Sequence, residues 1–161
     1  MADCIKFIGS PSNEPLEDVV FSYSENDYSI SSSLETGGLL LQISTLSLYF
    51  DRRNRMLRSI HGYWPKKNWR ETQLTSVSAN RGHVALVIDD ALIPPIGAAL
   101  DYCQDASQWL TAFDPGTGRL RLQKGAPSNA GWWHVSSRIF AHIGLASNLD
   151  AIQIERLDIR S

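Results

Sequence analysis

The side chains able to do acid, base or nucleophilic chemistry are few and scattered. Histidines stand at 61, 83, 134 and 142, and cysteines at 4 and 103. No pair has H-x-x-x-H or C-x-x-C spacing, so a zinc site would need convergence from distant segments. Cys103 with a remote His could form a nucleophile and base, but no local sequence marks the pairing. Asp89-Asp90 is a carboxylate doublet. In an extended strand adjacent side chains point to opposite faces, so it is a poor acid–base dyad. G-x-S-x-G, P-loop and G-x-G-x-x-G patterns are absent. His61 precedes Gly62-Tyr63 and His134 follows Trp132-Trp133; a lone His beside aromatics is usually a hydrogen-bonded structural residue. The expectation is no catalytic residue, no cofactor and no metal. A small hydrolase built on converging His and Asp is the enzyme alternative.

Charge is more informative. The net charge of −2 hides four blocks: −6 over residues 1–50, +6 over 51–81, −5 over 82–118 and +3 over 119–161. The bland reading is that neighbouring blocks cancel in space. The functional reading of the third block, which holds no Lys or Arg, is a contact surface for a basic partner. Asp89, Asp90, Asp101 and Asp105 flank Ile93, Ile96 and Tyr102. Complementary charge speeds encounter while a few apolar anchors supply affinity. Asp89, Asp90, Asp101, Tyr102 and Asp105 are therefore the candidate partner-binding residues. The basic block interleaves Arg52, Arg53, Arg55, Arg58, Lys66, Lys67 and Arg70 with Tyr63, Trp64 and Trp69. Such a mixture could hold phosphates and stack bases over residues 51–70. A sequence pI near 6.0 argues against a dedicated nucleic-acid binder.

The elements that must position these residues are strands. Leu46, Leu48 and Phe50 alternate with polar or exposed types, Asp51 to Arg55 makes a turn, and Met56 to Ile60 resumes the extended pattern. Asp suits the first turn position because its carboxylate accepts from backbone N–H groups two residues on. Six identities relate residues 50–69 to 113–132 at a constant offset of 63, from Phe50-Asp51 and Phe113-Asp114 to Trp69 and Trp132. This is a possible hairpin duplication. Further strands are expected at Ile5–Ile8, Val19–Tyr23, Leu39–Ser44, His83–Ile88, Trp109–Phe113, Leu120–Leu122, Trp132–Ile143 and Ala151–Ile159, the last with a β-bulge after Glu155 to reconcile its two parities. Ser24–Ser33 reads as loop or edge, and Pro65–Ser78 as a long surface crossing. Gly97–Cys103 is the best short helical candidate.

Eight to ten short strands make residues 1–161 a single, mainly β domain: an antiparallel sandwich or partly open barrel with at most one or two short helices. A chain of 161 residues is long enough for a proper core. No apolar run reaches the ~18 residues of a membrane helix. MADCIKFIGS lacks the pattern of a signal peptide. With two widely separated thiols, expected reduced, these features point to a cytoplasmic protein.

The hairpin leading into His61-Gly62-Tyr63-Trp64-Pro65, with Trp69 beyond, resembles a group of small bacterial proteins. They carry a hairpin, then Gly-Tyr-x-Pro and a Trp, and later a turn like Phe113-Asp-Pro-Gly-Thr-Gly; Trp64 stands where that group has Cys. The resemblance covers roughly residues 45–160. Such proteins resemble immunity proteins of bacterial toxin–immunity systems, including contact-dependent growth inhibition. The resemblance implies a non-catalytic inhibitor whose partner is a cognate toxin C-terminal domain, often a nuclease. No membrane partner is expected, and the pI argues against nucleic acid.

Overall fold

A computed structural model describes residues 4–34, 37–103, 105–128 and 130–161. Asp3 and Glu35, two acids of the first charge block, lie outside the described residues. The strands are β1 (Lys6–Pro11), β2 (Phe21–Ser24), β3 (Ser29–Ser32), β4 (Leu39–Ile43), β5 (Leu46–Phe50), β6 (Leu57–Tyr63), β7 (Arg70–Glu71) and β8 (Asn80–Val87) in the first part of the chain. They continue as β9 (Ala99–Cys103), β10 (Leu110–Asp114), β11 (Arg119–Gln123), β12 (Trp132–Ser136), β13 (Ile139–Ile143), β14 (Leu149–Ile154) and β15 (Asp158–Arg160). Among the described residues helical structure is confined to short 3-10 turns such as Lys66–Asn68 and Asp90–Leu92.

The strands form two sheets, in the orders β1-β8-β12-β13-β14-β11-β10-β7 and β15-β2-β3-β6-β5-β4-β9. Neither closes into a barrel, and their inner faces share one core, as in a β sandwich. Alternation decides the facing. Leu46, Leu48 and Phe50 are fully buried while Ser47 and Tyr49 point away. Each large apolar side chain so buried contributes about 1.5–3 kcal/mol. Trp133 reaches the core over Gly9 and Gly82; a β-carbon on Gly9 would lie 2.1 Å from its indole.

Antiparallel pairs dominate, but β4–β9, β12–β8, β10–β7 and β15–β2 are parallel, so the sheets are mixed rather than purely antiparallel. The reason is a duplicated topology. Position by position, β15-β2-β3-β6-β5-β4-β9 matches β7-β10-β11-β14-β13-β12-β8, with the same orientation at every pairing. The register matches too. Leu48 pairs with Ile60 as Ala141 pairs with Ile152, and both pairs of strands slip register at the same step, after Tyr49 and after His142. The N–H after each third strand returns to the equivalent hairpin turn, Trp64 to the Tyr28 carbonyl and Leu157 to the Gly118 carbonyl. The two halves are thus related at offsets of about 90 to 93 residues. The 63-residue echo joins hairpins that hold different places: the counterpart of β5–β6 is β13–β14, and that of β10–β11 is β2–β3.

Three local expectations are corrected. Gly97–Cys103 is not helical; β9 is an edge strand, paired on one side with β4, and only Leu100 of its side chains is fully buried. Trp132–Ile143 is a hairpin, not one strand, because Ser137-Arg138 forms a two-residue turn. The predicted last strand is cut after Ile154. Arg156 adopts φ 55, and the chain crosses to the other sheet as β15, which explains the change of parity without a bulge. The Ser24–Ser33 stretch forms β3, which pairs with both β2 and β6.

Candidate functional site

The clearest binding feature grows from the end of β6. Gly62 has φ 137, and a β-carbon there would lie 2.6 Å from the Thr45 carbonyl, so only Gly lets the β4–β5 turn approach this closely. Thr45 Oγ1 donates to the Tyr63 carbonyl at 2.6 Å. Trp64 is then drawn inward. Its carbonyl accepts from the buried Tyr23 hydroxyl at 3.0 Å, and its indole Nε1 donates to Thr111 Oγ1 at 2.9 Å, joining the two sheets. Burial pushes the Tyr23 phenol above its ordinary pKa. Pro65 starts the Lys66–Asn68 turn, which delivers the Trp69 ring between Tyr23 and Phe113, at 4.7 and 5.5 Å. Tyr23 and Phe113 are equivalent residues of the two halves.

The opposite wall comes from the segment after β9. The Asp105 carboxylate accepts from the Ser107 hydroxyl at 2.6 Å and the Ser107 N–H at 3.0 Å, which holds it below the usual carboxylate range and shapes the turn into Trp109. Between the walls lies a crevice of about 530 Å³, lined by Tyr63, Trp64, Trp69, Trp109 and Leu110, with hydroxyls from Ser44, Thr45 and Ser107. Trp109 also lines an adjoining cavity of about 320 Å³ with Tyr102, Cys103, Lys124 and Leu145. Around these openings Tyr63 is 46%, Leu110 60% and Leu145 97% exposed. Among the described residues no carboxylate, His, Lys or Cys lines the main crevice. It is built to hold an apolar or aromatic group among neutral hydrogen-bonding groups, the composition of a binding pocket and of an interface hot spot.

The five predicted contact residues divide. Asp101 is exposed on the edge strand β9, and Asp105 is exposed on the rim-forming turn beside the crevice. Asp89 and Asp90 lie at the other end of β5 and β6. There Asp89 caps the Asp90–Leu92 turn, and Asp90 pairs with Arg55. Tyr102 is half-buried. Its hydroxyl donates to the Leu149 carbonyl at 3.3 Å and accepts from the Leu149 N–H at 3.2 Å, tying β9 to β14, and burial raises its pKa to about 12. It braces the sandwich and offers no free hydroxyl. The basic turn meets the acidic block directly: Arg52 donates to the Pro94 carbonyl and Arg55 to that of Ile88, both at 2.7 Å. Arg58 pairs with Glu17 and Lys66 with Glu25. Much of the 51–70 charge is neutralised in this way. Sequence reasoning assigned Trp109 and Leu110 to a strand alone; their clustering with Trp64 and Trp69 needed the fold.

The histidines do not converge. His61 packs edge-on to Tyr49, His134 stacks on Phe140, and His83 reaches Glu14 at 3.5 Å. His142 is the exception: Nδ1 contacts Asp150 across the β13–β14 pair, and Ser128 Oγ lies 3.3 Å from Nε2. The order Ser–His–Asp has the outline of a nucleophile relay. However, Nε2 is 2.6 Å from the Ala130 carbonyl, which can only accept. Ser128 Oγ itself donates to that same carbonyl at 2.8 Å, so its proton is not aimed at His142 in this arrangement. Both cysteines are free thiols, and no metal-binding group of three His, Cys, Asp or Glu occurs among the described residues. Among the described residues no helix is long and apolar enough to cross a membrane. No protein-family model matches the chain, and no curated protein is similar to it in sequence.

Proposed function

We propose that the protein is a non-catalytic binding protein of the immunity class, which neutralises a cognate bacterial toxin domain by covering its active or substrate surface. The observation that carries the reading is the aromatic crevice meeting the adjoining cavity at Trp109, edged by exposed Tyr63 and Leu110 and neighboured by Asp105. Such a surface supplies apolar anchors, while the exposed acids Asp101 and Asp105 favour a basic partner such as a nuclease.

The test is co-purification of the tagged protein with the toxin domain encoded beside it, together with rescue of cells expressing that domain. A one-to-one complex and rescue are expected. The variant Leu110→Asp should weaken the complex at least tenfold, since it places a charge at the mouth of the crevice. Reversal of Asp101 and Asp105 to Lys should slow association; because Asp105 also holds the turn into Trp109 through Ser107, thermal melts of each variant accompany the binding measurement. Failure to form a complex or to rescue would overturn the immunity reading. A complex unaffected by Leu110→Asp would move the interface elsewhere.

A further inference from the structure

The duplicated topology gives the aromatic crevice a counterpart. Ser137-Arg138 stands where the first half has Ser44-Thr45, and Glu155 where it has Tyr63, with Arg156 as an extra residue before Leu157, the counterpart of Trp64. Ser137, Arg138, Glu155 and Arg156 line a cavity that is also about 530 Å³, on the outer face of the second half's sheet, but its chemistry is different. His134 and Phe140, paired across β12 and β13, stack with ring centroids 4.2 Å apart and planes within 8°. Arg119, Arg138 and Arg156 surround them.

Three guanidiniums outnumber the two carboxylates in the lining, Asp18 and Glu155. Glu155 receives Arg119 Nε at 3.0 Å, and Asp18 accepts from the Ser137 hydroxyl at 3.1 Å. Arg138 Nη1 donates to the Arg156 carbonyl at 3.3 Å, which ties the two arginines together. Among the described residues neither of these guanidiniums has an ion-pair partner. Arg156 is set in place by its left-handed backbone, φ 55, at the crossing from β14 to β15. His134 Nε2 is buried and has no hydrogen-bond partner. Desolvation holds the ring below its ordinary pKa, so it stacks as a neutral aromatic.

We propose that this cavity binds a nucleotide, free or as the unit of a single strand, with Arg138 and Arg156 on the phosphate and the His134–Phe140 stack against the base. Guanidiniums match phosphate oxygens in fork geometry, and aromatic rings take the face of any base. A cavity of this size falls in the range of small-molecule sites. The site is separate from the crevice at Trp109 and does not depend on a protein partner.

The test is calorimetric titration of the full chain at low salt with AMP, inorganic phosphate and a ten-nucleotide oligouridylate. AMP or the oligonucleotide should bind, and Arg138→Gln/Arg156→Gln should weaken binding at least tenfold. Phe140→Leu, a second and independent variant, should weaken it severalfold without changing its salt dependence. Equal affinity for AMP and the strand would assign a mononucleotide. A tighter strand whose affinity falls with salt by several phosphates' worth would assign single-stranded nucleic acid, at a slope of about 0.7 per phosphate contacted. Either result supports the site. No binding of AMP or strand at millimolar concentration, phosphate binding as tightly as AMP, or full affinity in the double-arginine variant would overturn it.

Discussion

Asp51 and Asp114 close two hairpin turns by the same chemistry. Asp51 Oδ1 accepts from the N–H groups of Arg53 and Asn54 at 2.7 and 3.1 Å, and Asp114 accepts from those of Leu74 and Gly116 at 2.9 and 3.0 Å. These N–H donors hold both carboxyls below the usual carboxylate pKa, the Leu74 N–H contributing most at Asp114. A folded-state pKa below the unfolded value near 3.9 stabilises the fold above that pH, and the stabilisation is lost as pH falls through the folded pKa. Asp114→Asn should therefore lower the melting temperature by several degrees at pH 7. The gap to wild type should narrow in thermal melts below about pH 4, as the wild-type carboxyl protonates. A gap that stays constant down to pH 2.5 would show that the carboxylate charge contributes nothing. The turn role of these acids was legible in the sequence, since an Asx turn is local. The Leu74 partner, 40 residues away, was not.

At the scale of elements, the turns of β2–β3 and β10–β11 are equivalents with unequal chemistry. The left-handed position is Tyr28, φ 54, in one and Gly118, φ 75, in the other. A side chain in that conformation costs about 1–2 kcal/mol. Gly118→Ala should destabilise by about that amount or more, since its β-carbon would also sit 3.0 Å from Arg156 Cα. Tyr28→Gly relieves the same conformation and should cost far less in urea unfolding, although it removes the Tyr28–Tyr63 contact at 6.2 Å. Equal losses would contradict the equivalence of the turns. The Pro-Gly-Thr-Gly turn was plain from composition, whereas Ser24–Ser33 read only as loop or edge. Polar serines hide a strand when its outward face is solvated, and only pairing on both sides of β3 reveals it.

For the whole molecule, the decisive feature is reciprocal crossing. β7 leaves the first half to pair with β10, and β15 leaves the second half to pair with β2. Strands β8 and β9 likewise pair across the halves, with β12 and β4. Fragments 1–96 and 97–161 should therefore give no cooperative thermal transition separately, but should regain one when mixed. A cooperative transition in either fragment alone would show that the halves are independent domains.

The sequence by itself determined the fold class, most strands, the turn chemistry and the charge blocks. These follow from alternation and local side-chain-to-backbone bonding, which act over a few residues. Tertiary structure alone decided which strands pair, and with that the true offset of the duplication. It also decided that Tyr102 braces β9 against Leu149, and that β9 is a strand rather than a helix. Above all it gathered Trp64, Trp69 and Trp109 around one crevice, and Arg138 and Arg156 around another. Strand pairing brings together residues of any separation, and the hydrogen-bonding and apolar surfaces that drive it are the same at every strand. The partners are therefore chosen by the packing of the whole sandwich and not by any local stretch.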